Sequence, residues 1–161
     1  MLRVLITGMS GTGKSSVIAA LSERGYKAID TDWNPDWETP PQPGDPDADG
    51  PGWLWREDRI SDLLAAEDTD VLFVSACVPN QSRFYPSFDH IVLLTASPEL
   101  TSARLARRTN NPYGKSAAEV AEVLRYKATV EPMLRSVATE EIDTAMPLRE
   151  VVARILELAE G

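Results

Sequence analysis

Residues 8–15 read Gly-Met-Ser-Gly-Thr-Gly-Lys-Ser, a complete G-x-x-x-x-G-K-[ST] pattern. That spacing suits one kind of chemistry: glycines let the backbone wrap a phosphate while a helix N-terminus aims free N–H groups at the anion. On this pattern Lys14 reaches the outer phosphates of a nucleoside triphosphate and the Ser15 hydroxyl holds Mg2+. Gly8, Ser10, Gly11, Thr12, Gly13, Lys14, Ser15 and the following Ser16 are the expected nucleotide contacts. A second chemical signal follows in Ala28-Ile29-Asp30-Thr31-Asp32. In an extended chain alternation puts Asp30 and Asp32 on the same side. Beside a Mg-nucleotide, one carboxylate can hold a metal-bound water and the other can accept a proton from an attacking hydroxyl. The blander alternative is that two acids simply open a solvated loop.

These residues need elements to position them. Val4-Leu5-Ile6 precedes the loop as a short strand-forming run, and Val17, Ile18 and Leu21 follow at helical spacing. Further apolar runs at 26–30, 71–75, 90–95 and 139–143 predict strands, counting 2–7 as the first. Helical patterns lie between them at 14–24, about 54–66, 97–108, 116–131 and 147–159. Strand alternating with helix predicts an α/β fold of three layers, with a mostly parallel five-stranded sheet. The carboxyl edge of such a sheet binds ligands, and Asp30 and Asp32 emerge there. Ser97-Pro98 reads as an N-cap with Pro at the first helical position, and Pro147 as a similar start. Pro132, lacking an N–H, is expected to end or kink the long helix after Glu131.

The bulk numbers exclude several classes. With 161 residues, 43% hydrophobic and 25% charged, the chain suits one soluble domain spanning 1–161. No apolar run approaches the roughly 20 residues that span a bilayer, and no targeting segment precedes the first run. A lone Cys77 forms no internal disulfide, which fits a reducing cytoplasm. Cys77 itself reads as a buried small apolar group, and the lone His90 as structural. A net charge of −9 argues against a nucleic-acid partner. Monomer and homodimer both remain open.

An insert of about residues 33–59 breaks the pattern. Its first part carries Pro35, Pro40, Pro41, Pro43, Pro46 and Pro51, the acids Asp36, Glu38, Asp45, Asp47 and Asp49, and no Lys or Arg through residue 53. A loop this long in a compact domain is a functional lid or a disordered segment, and disordered chain seldom carries Trp33, Trp37, Trp53 and Trp55. The tryptophans read either as the wall of an acceptor pocket, with Trp33 and Trp53 as candidates, or as a satellite core. Arg56 and Arg59 either supply local positive charge to an acceptor or pair with Glu57, Asp58 or Asp62 on a helix surface.

The Gly8–Ser15 loop, the Asp30-Thr31-Asp32 run and the Arg104-Leu105-Ala106-Arg107-Arg108 run together resemble the small P-loop kinases. That group includes shikimate, gluconate and nucleoside monophosphate kinases. Where shikimate kinases carry a glycine-rich run, this chain has Ser75-Ala76-Cys77, and a Ser-Ala pair there is similar to gluconate kinases. Ala128–Pro132 and Ile142-Asp143-Thr144 also resemble that group. The resemblance implies that Asp30 serves Mg2+ through water, and that Asp32 contacts the acceptor hydroxyl and acts as base. It implies a mobile lid at about 108–116 whose arginines cover the phosphates, with Arg108 first, Arg104 second and Lys115 third as candidates. It places adenine near the lid and the loop at Thr144–Pro147. A helix dipole alone also accounts for basic residues at the end of that helix.

The expected function is transfer of the γ-phosphate of Mg-ATP to a hydroxyl of a small metabolite, with Lys14, Asp32, Arg108 and Arg104 as catalytic residues. Sugar acids, polyols, nucleosides and nucleotides are the acceptor classes the resemblance implies. The acidic insert by itself suggests a cationic one. The alternative is a nucleotide-binding regulatory ATPase or switch. No guanine-reading Asn/Thr-Lys-x-Asp sequence is present, and the strand at 71–75 ends in Ser75 where a motor ATPase places an acid.

Overall fold

The computed structural model describes residues 1–9, 11–44, 52–107 and 116–160. The five apolar runs become the strands β1 (Leu2–Thr7), β2 (Lys27–Asp30), β5 (Val71–Ala76), β6 (His90–Thr95) and β7 (Glu140–Asp143). They form one sheet in the order β2-β5-β1-β6-β7, and every neighbouring pair is parallel. The helices are α1 (Lys14–Glu23), α2 (Glu57–Ala65), α3 (Pro98–Arg107), α4 (Ala117–Val137) and α5 (Leu148–Glu160). A 3-10 segment at Pro79–Ser87 joins β5 to β6.

Side-chain alternation along the buried strands builds the layers. Val4 and Ile6 of β1, Phe73 of β5, and Val92 and Leu94 of β6 face Val17, Ile18 and Leu21 of α1 and Val151, Val152 and Ile155 of α5. Leu5, Leu72, Val74 and Ile91 face the opposite way, against Ile60, Leu63 and Leu64 of α2. A smaller cluster joins Leu93 to Met9 and Leu134 of α4. Each such side chain contributes roughly 1.5–3 kcal/mol by leaving water.

Several boundaries follow local chemistry. Ser97 Oγ accepts the Leu100 N–H at 3.1 Å, capping α3 with Pro98 at its first position. Pro147 lies one residue ahead of α5 and accepts the Glu150 N–H at 2.9 Å. Ser116 and Glu119 form a reciprocal capping box at the start of α4.

Two expectations need correction. Pro132 does not end α4, which runs through it to Val137. One ion pair spans the proline and supports the continuation: Glu131, itself buried and also paired with Lys127 at 2.8 Å on the preceding turn, accepts from Arg135 at 3.1 Å. Leu134, one turn from Glu131, buries against Met9 and Leu93. The acidic insert also contains regular structure. β3 (Glu38–Thr39) pairs antiparallel with β4 (Leu54–Trp55), so the insert closes on itself as a small hairpin. Asn80 pins its end, accepting the Trp55 N–H at 2.9 Å and donating to Trp55 O at 3.0 Å.

Truncating the fully buried Ile155 to Ala is expected to lower stability by about 2–5 kcal/mol. Met133→Ala, at a side chain 68% exposed, is expected to stay within about 0.5 kcal/mol. Urea unfolding of both variants checks the layer assignment.

Candidate functional site

The phosphate loop leaves the sheet where its connections diverge, since β1 has β5 on one side and β6 on the other. The chain turns at once at Gly8 (φ 150°), where an added Cβ would lie 2.5 Å from Leu94 O, so no other residue fits. Thr12 is buried and closes the turn, its hydroxyl donating to Met9 O at 2.7 Å. Gly13 (φ 96°) caps α1 with no side chain over the helix end, and the Val17 N–H is bonded to Gly13 O at 3.1 Å. The N–H groups ahead of Val17 therefore have no intrahelical acceptor and point outward, the arrangement that receives a phosphate.

Four of the predicted polar residues meet at this loop. Ser15 Oγ donates to Asp30 Oδ2 at 2.7 Å. Asp30 Oδ1 also accepts from the Asp32 N–H at 3.1 Å and from Ser75 Oγ at 3.2 Å. A hydroxyl beside a carboxylate is the hard oxygen donor set that Mg2+ prefers, so these residues fit the ion. Lys14 Nζ is buried, lies 3.4 Å from Asp32 Oδ2 and donates to Gly8 O at 2.6 Å. Burial lowers the Lys14 pKa, while the negative charges of Asp32 and Asp30 beside it raise it. The pKa therefore stands above its ordinary value, and Lys14 is a fixed cation.

A cleft of about 1440 Å3 runs from the loop in two directions. On one side it is walled by Arg104 and Arg107 of α3, by Thr144, Met146 and Leu148, and by the apolar face of α4. Arg104 ties this wall together, donating to Thr144 Oγ1 and Thr144 O at 2.7 Å each and to Gly11 O at 3.3 Å. Partial burial and the neighbouring Arg107 hold its pKa below the ordinary value. Pro147 does not line the cleft, although Met146 and Leu148 on either side of it do. Ser10, Arg108, Lys115 and the expected lid at 108–116, except Ser116, lie outside the described residues.

On the other side stand Asp32, Trp33, Glu38, Trp53, Gln81 and Tyr85. Trp33 and Trp53 meet edge to face at 5.7 Å, whereas Trp55 is buried core and Trp37 packs against that core. The two readings of the tryptophans thus divide between the pairs. Arg56 and Arg59 do not join the cleft. Arg56 donates to Pro35 O at 3.1 Å on an adjacent groove, and Arg59 is exposed on α2. Cys77 is half-buried, packing against the Met9, Leu93 and Leu134 cluster while also lining the cleft. Burial raises its pKa, so it stays a thiol at neutral pH.

Glu38 is the functional candidate that sequence reading missed. Its Oε1 accepts the N–H of Trp33, which holds a left-handed φ of 56°. Its Oε2 lies 3.3 Å from Thr31 Oγ1. Thr31 has one hydroxyl proton, directed to Ser75 O at 2.7 Å, and it accepts from Trp55 Nε1 at 2.9 Å. The remaining Thr31 lone pair is satisfied when Glu38 itself carries a proton. Burial, and then the charge of Asp32, push the Glu38 pKa up to about 8. Nothing in the acidic run distinguishes Glu38 from Asp36 or Asp45; only the β3–β4 pairing buries it. Gln81 was likewise invisible: it is buried, donating to Thr7 Oγ1 at 3.0 Å and to Tyr85 Oη at 3.2 Å.

A folded pKa above the unfolded value means that the native state holds a proton the unfolded chain has lost. The stability from Glu38 is therefore fully present below about pH 4.5 and is lost as pH rises to about 8. Glu38→Gln supplies an acceptor for Trp33 and a donor for Thr31, and is expected to remove that decline. Glu38→Ala removes the carboxyl that accepts the Trp33 N–H and is expected to destabilise by about 1–3 kcal/mol. Thermal unfolding of both variants across pH 5–9 is the check.

Residues 4–125 match the family model of an AAA domain. A nucleotide-binding protein of Acidiphilium cryptum (strain JF-5) is 29% identical over 142 residues, 88% of this chain, and the chain spans 43% of that relative's length. Among solved structures, shikimate kinase from Acinetobacter baumannii in complex with shikimate superposes with a TM-score of 0.66 at 19% identity, covering 98% of this chain and 92% of that one. A gluconokinase from Sinorhizobium meliloti 1021 gives a TM-score of 0.58 at 24% identity over 99% and 94% of the two chains. Deoxyadenosine kinase from M. mycoides with bound dATP gives 0.56 at 15% over 99% and 100%. These structures share the parallel-sheet P-loop fold. Because the family model takes in the phosphate loop, the acidic pair and the helices on both sides of the sheet, the chain belongs to the AAA domain family of P-loop proteins.

Proposed function

We propose that this protein is an ATP-dependent phosphotransferase acting on a hydroxyl of a small metabolite. The observation that carries the reading is the adjacency of two pairs, Ser15 with Asp30 and Lys14 with Asp32, at the edge of a cleft that continues past the loop into an aromatic pocket. A simple nucleotide switch needs the first pair and has no use for the pocket. Polyols, sugar acids and nucleosides are the acceptor classes suggested by proteins of this fold. The acceptor is a small molecule, with no role for nucleic acid or a membrane surface, and the lone thiol suits a reducing cytoplasm.

In this reading the triphosphate of ATP lies along the loop, its oxygens facing the N–H groups at the start of α1. Lys14 neutralises charge on the outer phosphates. Ser15 and, through water, Asp30 would hold Mg2+, which would neutralise phosphate charge when bound. The acceptor enters past Trp33 and Trp53, and Asp32 accepts the proton of its hydroxyl. The acceptor oxygen forms a bond to the γ-phosphorus as the bond from that phosphorus to the ADP oxygen breaks, so the products are ADP, the phosphate ester and a proton. Positioning and charge stabilisation supply most of the rate. Arg108 and Arg104 are the proposed cations over the transferring group. Arg104 would contribute by leaving or sharing its bonds to Thr144 and Gly11.

ADP release with Mg-ATP, with and without a panel of hydroxyl acceptors, tests the assignment. Asp32→Asn is expected to lower acceptor-stimulated turnover by about a hundred- to ten-thousand-fold while ATP still binds. Asp30→Asn is expected to raise the Mg2+ needed for half-maximal rate by about tenfold or more. Basal ATP hydrolysis that no acceptor stimulates, and that Asp32→Asn leaves unchanged, would instead support the regulatory ATPase.

A further inference from the structure

We propose that the acceptor half of the cleft selects a hydroxyl compound carrying an amine, and rejects carboxylate and phosphate acceptors; the inference rests on the phosphotransferase reading and narrows its substrate class. Three observations converge on it.

The first is the inventory of cations around the pocket. Lys14 is committed to Asp32 and to the phosphate loop. Arg104 and Arg107 stand on the α3 wall, across the loop from the tryptophans. The two arginines nearest the hairpin are turned to other partners, Arg56 to Pro35 O and Arg83 to Glu57, while Arg59 is exposed on α2. Among the described residues none of these three lines the cleft. Residues 33–53 of the sequence add no Lys or Arg. Among the described residues, an anionic acceptor would thus meet no dedicated cation on this side of the cleft.

The second is what the pocket does present. Among the described residues Asp32 and Glu38 are its carboxyls, facing the acceptor from the β2 end and from β3, with Lys14 as the charged neighbour of both and the Cys77 thiol and Tyr85 hydroxyl beside them. Two carboxyls beside one lysine leave room for a second positive charge. Glu38 holds its proton at neutral pH because its burial and the charge of Asp32 outweigh the charge of Lys14, and an ammonium group placed against it would release that proton. An anion there would do the opposite and meet Asp32 at short range.

The third is the aromatic wall. Trp33 and Trp53 meet edge to face at 5.7 Å, are only half-buried, and line the cleft together with Tyr85. Indole faces attract ammonium groups and stack on the apolar faces of sugar rings. Trp33 holds its place through the strained backbone that Glu38 secures, so the carboxyl and the ring are built as one unit.

The experiment compares hydroxyl compounds that carry an amine with the same compounds N-acetylated and with sugar acids. Glucosamine and neamine, their N-acetylated forms, and gluconate and glucuronate are titrated into the full chain with ATP and Mg2+. Tryptophan fluorescence reports binding, with Trp33→Phe as control, and ADP release reports turnover. The amines are expected to bind about tenfold or more tighter than their N-acetylated forms. Glu38→Gln, which keeps the hydrogen bonds but cannot ionise, is expected to erase most of that preference. Equal or tighter binding of the acids or N-acetylated compounds overturns the proposal, as does the absence of saturable binding by either amine. Selective amine binding with ADP release flat for every acceptor would uphold the pocket's selectivity and sink the phosphotransferase reading instead.

Discussion

Parallel pairing around β1 is the constraint from which the site follows. Because β5 and β6 both run parallel to β1, the carboxyl ends of all three strands arrive at one edge, and β2 delivers Asp30 to the same edge through β5. The registers Thr7↔Ala76 and Asp30↔Ser75 place the start of the phosphate loop, the first carboxylate and the β5 terminus in one row. Parallel strands need long crossovers, and these put helices on both faces of the sheet. The sheet interior is then dry, and polar groups are confined to the edge where the strands stop.

That confinement sets the electrostatics. Lys14 is buried and remains charged because carboxylates stand beside it; without them desolvation would dominate. Asp32 meets the ammonium, while Asp30 is satisfied by two hydroxyls and a backbone N–H. Glu38, a few residues further along, stays protonated because its burial and the charge of Asp32 outweigh Lys14. Three carboxyls in one neighbourhood therefore have three roles, decided by which donors reach them. Their chemical identity is nearly the same.

The insert shows how a Pro-rich acidic segment becomes part of a site. Two short strands, an asparagine clamp and the Trp55–Thr31 hydrogen bond fasten it to the edge of the main sheet. Trp55 and Trp37 supply the buried contact, which frees Trp33 and Trp53 to face the cleft. One stretch of chain thus provides both the anchor and the wall.

The elements were legible wherever contiguous residues carry the signal. The order of strand, glycine loop and helix at residues 2–23, the five apolar runs and the Ser97-Pro98 cap follow from turn geometry, periodicity and capping, which act within a few residues. The pairing of Ser15 with Asp30 was legible too, because a known loop and an alternating strand place them. Pro132 misled for the complementary reason: local propensity disfavours the helix, and Leu134 packing on Leu93 lies far away in sequence. Glu38, Gln81, the division of the tryptophans and the turning away of Arg56 were decided by tertiary structure alone. Each depends on contacts between distant segments, such as Gln81 with Thr7 or Trp55 with Thr31, and on the burial those contacts create. By itself, then, the sequence determined where the phosphate-loop pattern and the helix behind it lie, because that motif is local. Which carboxyl stays neutral and which cations line the cleft was settled only when folding set the distances and removed the water.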